Sequence, residues 1–396
     1  MRRSGFWVLC IAVLVGVLAV APAGAGQSKG TVKIATQSPL SGDQAAVGEG
    51  IKLGTQLAIE QLKGPIEKLG FKVELVPFDD QAKPDVGVAN ARNMITDKEI
   101  LAVVGHYNSG VAIPSSEVYK EVGLVEISPA NTNPKITDRG LPNVNRVCGR
   151  DDVQGDVGAE FAKGQKVKSV YIIHDKTTYG QSVAEFFRDR AKKLGIEVMG
   201  FEGTEEKSNF DPILTPIRAK NPDMLYFGGI YSQAGPLFKQ AREKGIKAKF
   251  LGPDGVDSPD LAKIAGSAVV GMFYTTAAGP VAYYPKAKEF AKTYKDKFQK
   301  SPEPYAAESY DSAAIALKAI EAAIKASGGN LPARDLVAKE VRKVKYSGIT
   351  GNIAFDSKGD REKAGYFILQ VVSEDPAKWD SNKLLERKEI APPAAK

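Results

Sequence analysis

Short runs rich in β-branched and apolar residues alternate along this chain with longer stretches whose apolar positions recur at helical spacing. Residues 32–35, 72–76, 101–104 and 124–127 read as strands, as do 169–173, 224–227, 249–251, 271–274 and 366–372. Between them, 50–62, 86–94, 183–194 and 231–243 carry the i, i+3, i+4 repeat of amphipathic helices, and 306–326 is a long alanine-rich one. Strands separated by helix-length segments give βαβ units and a parallel sheet with helices on both faces. Near-continuous apolar runs such as 169–173 fit strands buried on both sides.

The pattern restarts after Asn145-Arg146-Val147-Cys148-Gly149-Arg150. Four strand signals precede it and a new alternation begins at Ser169, so two α/β layers of similar size are expected. The helix at 306–326 and the strand at 366–372 come too late to belong to the second layer alone. A chain that crosses between domains more than once accounts for both.

The N-terminus follows a different rule. Arg2 and Arg3 precede sixteen apolar residues from Phe6 to Ala21, followed by Pro22 and Ala23-Gly24-Ala25. A charged start, an apolar stretch and an A-x-A site are the pattern of a cleaved secretory signal, here residues 1–25. The apolar stretch is short of the roughly 20 residues that span a bilayer as a helix; an uncleaved anchor is the alternative. Cys10 sits too early in the run for lipid attachment. The mature chain is expected to begin near Gly26 or Gln27, outside the cytoplasm.

Removing Arg2 and Arg3 lowers the formal charge from +7, and lysines and glutamates are interspersed rather than blocked. With no basic aromatic stripe, nucleic acid is not an expected partner. Only Cys148 survives in the mature chain, so no intrachain disulfide forms, and a buried thiol is expected.

Catalytic signals are sparse. The two histidines, His106 and His174, both end predicted strands. Ser109, His106 and Asp175 would be the material for a nucleophilic triad, but there is no Gly-x-Ser-x-Gly elbow. Two histidines and one cysteine offer no zinc-ligand spacing, and Asp79-Asp80 reads as a solvated loop. Gly48-x-Gly50-x-x-x-Gly54 begins too far beyond the first strand for a dinucleotide turn and reads instead as close helix packing. Neither a metal nor a cofactor is expected, nor is an enzyme.

The chain offers instead hydroxyls, small residues and turns at the C-terminal ends of strands, where open parallel sheets bind ligands. Ser41-Gly42, Gly105 to Gly110, Ser128 to Thr132, His174 to Gly180 and Gly252 to Gly255 occupy such positions. Any one of these is ordinary loop chemistry. Five together describe a binding cleft.

These loops carry a resemblance. Ile34 through Ser41-Gly42, Gly105-His106 to Pro114, Ser128-Pro129-Ala130-Asn131-Thr132, Ile173-His174-Asp175 through Tyr179-Gly180, Leu251 to Gly255 and Phe355 to Asp360 resemble the periplasmic solute-binding proteins of the branched-chain amino-acid (Leu/Ile/Val) family, the type I fold that feeds ABC transporters. The resemblance covers essentially the whole mature chain. It implies two doubly wound parallel-sheet lobes joined by three crossover segments, the first from 30–149 plus 279–356 and the second from 150–278 plus 357–390. It also implies a periplasmic, monomeric, non-enzymatic protein that closes on an amino acid by hinge bending and delivers it to ABC permease subunits.

By that resemblance, Ser109 and Thr132 give hydroxyls to the ligand carboxylate, with backbone N–H groups near Ser109, Ala130 and Thr132. The Ala130 carbonyl and Asp254 receive the ammonium, and Tyr179 closes over the same region. Tyr107, Asn108 and Asn131 add polar groups to the first-lobe rim, Tyr231 stands beside Ile230, and Tyr305 lines the side-chain pocket. A zwitterion taken out of water needs both charges met, because an unpaired buried charge costs several kcal/mol. The chain departs from the family pattern at Val47 and Ile230, where aromatics are common, and at Asp254, which replaces a longer glutamate. An aliphatic amino acid is the first expectation. An amide, urea, a γ-amino acid or an aromatic acid in the same fold is the alternative, as is a sensor partnering a signalling protein.

Overall fold

The computed structural model describes residues 28–284 and 286–394, so the secretory-signal reading lies outside the described residues. The first sheet contains β1 (Gly30–Ser38), β2 (Phe71–Asp79), β3 (Ile100–Gly105), β4 (Val125–Ser128) and β5 (Val144–Arg146). Its order is β2-β1-β3-β4-β5, parallel throughout. The second sheet begins with β6 (Ser169–His174), β7 (Glu197–Gly203), β8 (Met224–Gly228), β9 (Lys249–Gly252) and β10 (Phe273–Thr276). A hairpin of β11 (Tyr346–Gly348) and β12 (Gly351–Ile353) follows, then β13 (Ala364–Gln370) and β14 (Lys383–Ile390). The second order is β14-β13-β10-β9-β8-β6-β7, with β13 antiparallel to both neighbours.

Each of the nine strands read from the sequence is present. Interior strands β3 and β6 are buried along their whole length, and each wholly buried Val or Ile there stabilises the fold by ~1.5–3 kcal/mol. The strands the pattern did not mark are β5, β7, the hairpin and β14. Three-residue β5, β11 and β12 are too short for a period to show. β7 is a half-exposed edge broken by Gly200, and edge β14 is mostly charged, as solvated edges tend to be.

The helix Ala45–Leu62 explains the glycines at its start. A Cβ on Gly54 would sit 2.1 Å from the Ala306 carbonyl oxygen, so the glycine lets the returning helix Ala306–Ala326 pack against it. That late helix also covers β3 and β4 of the first sheet.

Three segments cross between the layers: β5 to the helix Asp151–Gly164, β10 to the helix Ala287–Phe298, and β12 to β13. The first and third are pinned together. Wholly buried Arg146 donates from Nε to Asp360 Oδ1 at 2.6 Å, and Arg150 donates to Asp360 Oδ2 at 2.7 Å. Burial alone would raise the Asp360 pKa, but the two guanidinium charges outweigh it and hold the carboxyl at about 2. Arg146 Nη1 also donates to the Asn131 and Asn133 carbonyls at 2.9 Å, tying this knot to the loop after β4. Cys148 is buried beside it, its thiol pKa pushed up by burial, with Sγ 3.6 Å from the Asn131 carbonyl oxygen.

Candidate ligand site between the lobes

The parallel strands of both sheets present their C-terminal ends to a shared cleft, and a cavity of ≈ 260 Å³ lies there. From the first lobe come Tyr107, Asn108 and Ser109 after β3, and Ala130 after β4. From the second come Thr177, Thr178 and Tyr179 after β6, Ile230 after β8, and Asp254 and Gly255 after β9. Tyr305, the residue before the helix Ala306–Ala326, completes the wall from the first-lobe side.

Two helices begin at this cleft. Ser109 is the first residue of the helix Ser109–Lys120, and Thr178 opens the helix Thr178–Lys193. Thr177 caps the latter by accepting from the Gly180 amide at 2.9 Å. The termini are adjacent: a Cβ on Gly110 would lie 3.3 Å from Thr178 Oγ1. Free N–H groups and aligned dipoles make this end of the cleft favourable to an anion.

The other end is acidic. Asp254 is 2 % exposed, accepting the Tyr179 hydroxyl on Oδ1 at 2.7 Å and the Tyr305 hydroxyl on Oδ2 at 2.5 Å. The Gly255 amide donates to Tyr179 Oη at 2.7 Å, polarising that hydroxyl toward the carboxylate. Burial raises the Asp254 pKa despite these bonds, so a cation brought against it is strongly favoured.

The lobes meet around the cavity. Asn133 Nδ2 donates to the Thr178 carbonyl at 3.0 Å, and the Tyr231 hydroxyl donates to the Asp43 carbonyl at 2.9 Å. Lys207 pairs with Asp43 at 2.8 Å on the surface. Together with Tyr305 on Asp254, these contacts hold the lobes closed.

Seven of the ten residues read from the sequence line the cavity: Tyr107, Asn108, Ser109, Ala130, Tyr179, Asp254 and Tyr305. Asn131, Thr132 and Tyr231 lie behind its wall. Asn131 braces the loops, accepting the His106 amide at 2.9 Å and donating to the Tyr107 carbonyl at 2.9 Å. Thr132 is wholly buried, its hydroxyl facing the Asp151 carboxyl group. Tyr231 serves the interlobe contact instead. Tyr305 lines the cavity, and its hydroxyl binds Asp254, which residue type alone did not indicate.

Val47 is wholly buried in the core, and Gln44, one turn earlier, reaches the cavity instead. Lys176 also lines the cavity, from a loop residue at φ 61°. Asp151 was not singled out from sequence. It is wholly buried at the first crossover, with the Thr132 hydroxyl beside its carboxyl group. Burial, then the Asp254 charge, push its pKa far above the usual carboxylate range. Its only sequence signal is its place directly after the restart of the pattern.

Ser109, His106 and Asp175 do not assemble. His106 Nδ1 is 3.6 Å from Asp80 Oδ2 and Nε2 is 3.3 Å from the Tyr119 hydroxyl, inside the first lobe. Asp175 Oδ1 accepts from the Thr177 amide and hydroxyl in the second. Among the described residues no cluster of three or more His, Cys, Asp or Glu is arranged to hold a metal ion.

Comparison with known proteins agrees with this geometry. An amino acid binding protein of Pseudomonas aeruginosa is 35 % identical over 375 residues, 93 % of this chain and 96 % of the relative. A Leu/Ile/Val-binding protein homolog of Brucella abortus is 33 % identical over 96 % of this chain and 99 % of its own. The crystal structure of a leucine binding protein, LivK, from Thermotoga maritima superposes with a TM-score of 0.80 at 31 % identity, covering 90 % of this chain and 98 % of that one. The family model described as periplasmic binding protein matches residues 31–376. With the two-lobed fold and the interlobe cavity, this match shows that the chain belongs to the periplasmic binding protein family.

Proposed function

We propose that this protein is the exported receptor of an ABC transporter, capturing a free amino acid between its lobes and presenting it to the permease. The observation that carries the reading is the polarity of the cavity: two helix N-termini at one end, a doubly hydrogen-bonded buried carboxylate at the other. A zwitterion laid along that axis has both charges met. The Ser109 hydroxyl and the N–H groups of the Ser109–Lys120 helix take the carboxylate. Asp254 and the Ala130 carbonyl take the ammonium, and Tyr179 and Tyr305 keep Asp254 in place. Thr132 and Asn131 act from behind the wall, and Tyr107, Asn108 and Ile230 surround the side chain.

On this reading the lobes are 30–149 plus 279–356 and 150–278 plus 357–390, residues 1–25 are a cleaved signal, and the mature chain works in the periplasm as a monomer without catalysis. Aliphatic amino acids are the first choice, supported by what the relatives are named for binding. A specific observation favours a second reading. Lys176 lines the cavity and joins no ion pair among the described residues, which suits a ligand whose carboxylate lies farther from its ammonium, as in a γ-amino acid.

The test is a thermal-shift screen of ligand-stripped mature protein against amino acids, γ-amino acids, small amides and aromatic acids. A ligand at a hundredfold excess over Kd adds roughly 2.7 kcal/mol to stability. A shift confined to aliphatic α-amino acids is the expected result. Shifts with amides or aromatic acids alone would remove the role given to Asp254.

A further inference from the structure

We propose that the joint between the lobes carries an anion site, separate from the amino-acid cleft, that takes a phosphate group. A cavity of ≈ 410 Å³ opens there, and all three crossovers line it: Val147 from the first, Ala277 and Tyr284 from the second, Arg361 and Lys363 from the third. Its charged lining is Lys286, Arg361, Lys363 and Arg387 against Glu308 and Glu389, four cations to two acids. Both acids are engaged. Glu389 pairs with Arg387 at 2.9 Å, and Glu308 accepts the Tyr284 hydroxyl at 2.9 Å.

Arg361 is the central observation. It is 8 % exposed, and among the described residues no carboxylate lies within ion-pair distance of it. Its Nη atoms donate to the Val147, Thr350 and Asn352 carbonyls and to the Thr350 hydroxyl, while Nε has no partner. Among the described residues no carboxylate bonds it directly: buried Asp311 reaches it only through the Thr350 hydroxyl, which accepts from Arg361 and donates to Asp311 Oδ2 at 2.7 Å, so the free Nε leaves room for a directly paired anion. Burial also raises the Glu308 pKa to about 7, so this acid of the lining is only partly ionised at neutral pH. Lys363 is exposed and joins no ion pair among the described residues. Cations arriving from separate segments suit an anion with several oxygens and more than one charge, and phosphate has that shape.

Because the crossovers are the hinge, an anion bridging them in the closed form favours closure, by the linkage that governs any ligand with differential affinity for two states. The test uses ligand-stripped mature protein, with no amino acid added, so it does not depend on the reading of the cleft. Pyrophosphate, inorganic phosphate and glycerol phosphate are titrated by calorimetry at about 0.15 M ionic strength, where weak surface attraction is screened. Expected is saturable one-to-one binding of at least one probe with Kd below about 1 mM, accompanied by a fall in radius of gyration in solution scattering. Which probes bind separates free phosphate from a phosphorylated metabolite as the source. Lys363→Glu/Arg387→Glu should raise that Kd by at least about tenfold, and Lys363→Ala alone should weaken binding in the same sense. Absence of saturable binding, or equal binding by the variants, overturns the site. Binding with no change in radius of gyration overturns its coupling to the hinge.

Discussion

Replacing Asp254 with asparagine should separate stability from binding, because the two depend on the carboxylate with opposite sign. In the unliganded protein the group is buried and its pKa is raised, so folding disfavours its charged form. Asparagine has nearly the same shape, carries no charge and still offers a carbonyl oxygen to one of the Tyr179 and Tyr305 hydroxyls. The stripped variant should therefore melt at the same temperature as the wild type or higher at neutral pH. Binding should change the other way. An ammonium held against the amide keeps hydrogen bonds but loses its counter-charge, and removing one partner of a buried pair costs about 3–5 kcal/mol. That corresponds to a loss of affinity of about two to four powers of ten. Calorimetric titration of the ligand found in the screen, with thermal melts of stripped protein, reads both quantities. An affinity loss below tenfold together with a lowered melting temperature would refute the reasoning, since Asp254 would then be a structural acid rather than the ammonium partner.

Other consequences follow from the same contacts. Ser109→Ala removes a hydroxyl expected to bind a carboxylate, a charge-assisted bond worth about 1.5–3 kcal/mol, so affinity should fall about tenfold or more with little change in stripped-protein stability. Asp360→Ala leaves the buried guanidinium groups of Arg146 and Arg150 without their shared acid and should cost about 3–5 kcal/mol, read from the urea midpoint. Glu126, Asp257 and Glu308 have pKa values raised by burial to about 7, so the native state holds more protons than the unfolded chain between roughly pH 4.5 and 7. Stability should be greatest near the bottom of that window and fall as pH rises through 7; a melting temperature higher at pH 8 than at pH 5 would contradict this. Below pH 4 protonation of Asp360, whose pKa is about 2, should destabilise the protein.

Much of this protein was legible in the chain because the legible parts are local. The alternation of buried runs and amphipathic stretches is a property of neighbouring residues, and it marked nine strands and the late Ala306–Ala326 helix without reference to distant contacts. Loop chemistry at strand ends is equally local, so the segments holding Ser109, Ala130, Tyr179 and Asp254 stood out, and the family resemblance picked those residues within them. What the sequence left open depends on approach between residues far apart in the chain. Tyr305 and Asp254 are fifty-one positions apart, and only the packing of the helix after Tyr305 puts its hydroxyl 2.5 Å from that carboxylate. Val47 and Gln44 differ by less than one helical turn, and only the tertiary setting decides which of them meets the cleft. The resemblance placed Thr132 at the ligand carboxylate and Asn131 on the rim; neither lines the cavity, and Asn131 braces the two loops that hold the site. The sequence thus determined the elements, the two-layer alternation and the residue types offered at the cleft, because short-range pattern and chain length govern those. Tertiary structure decided which side chains share a charge, a cavity or a hinge, because burial and pairing are properties of groups brought together across hundreds of residues, as Arg146 and Asp360 are.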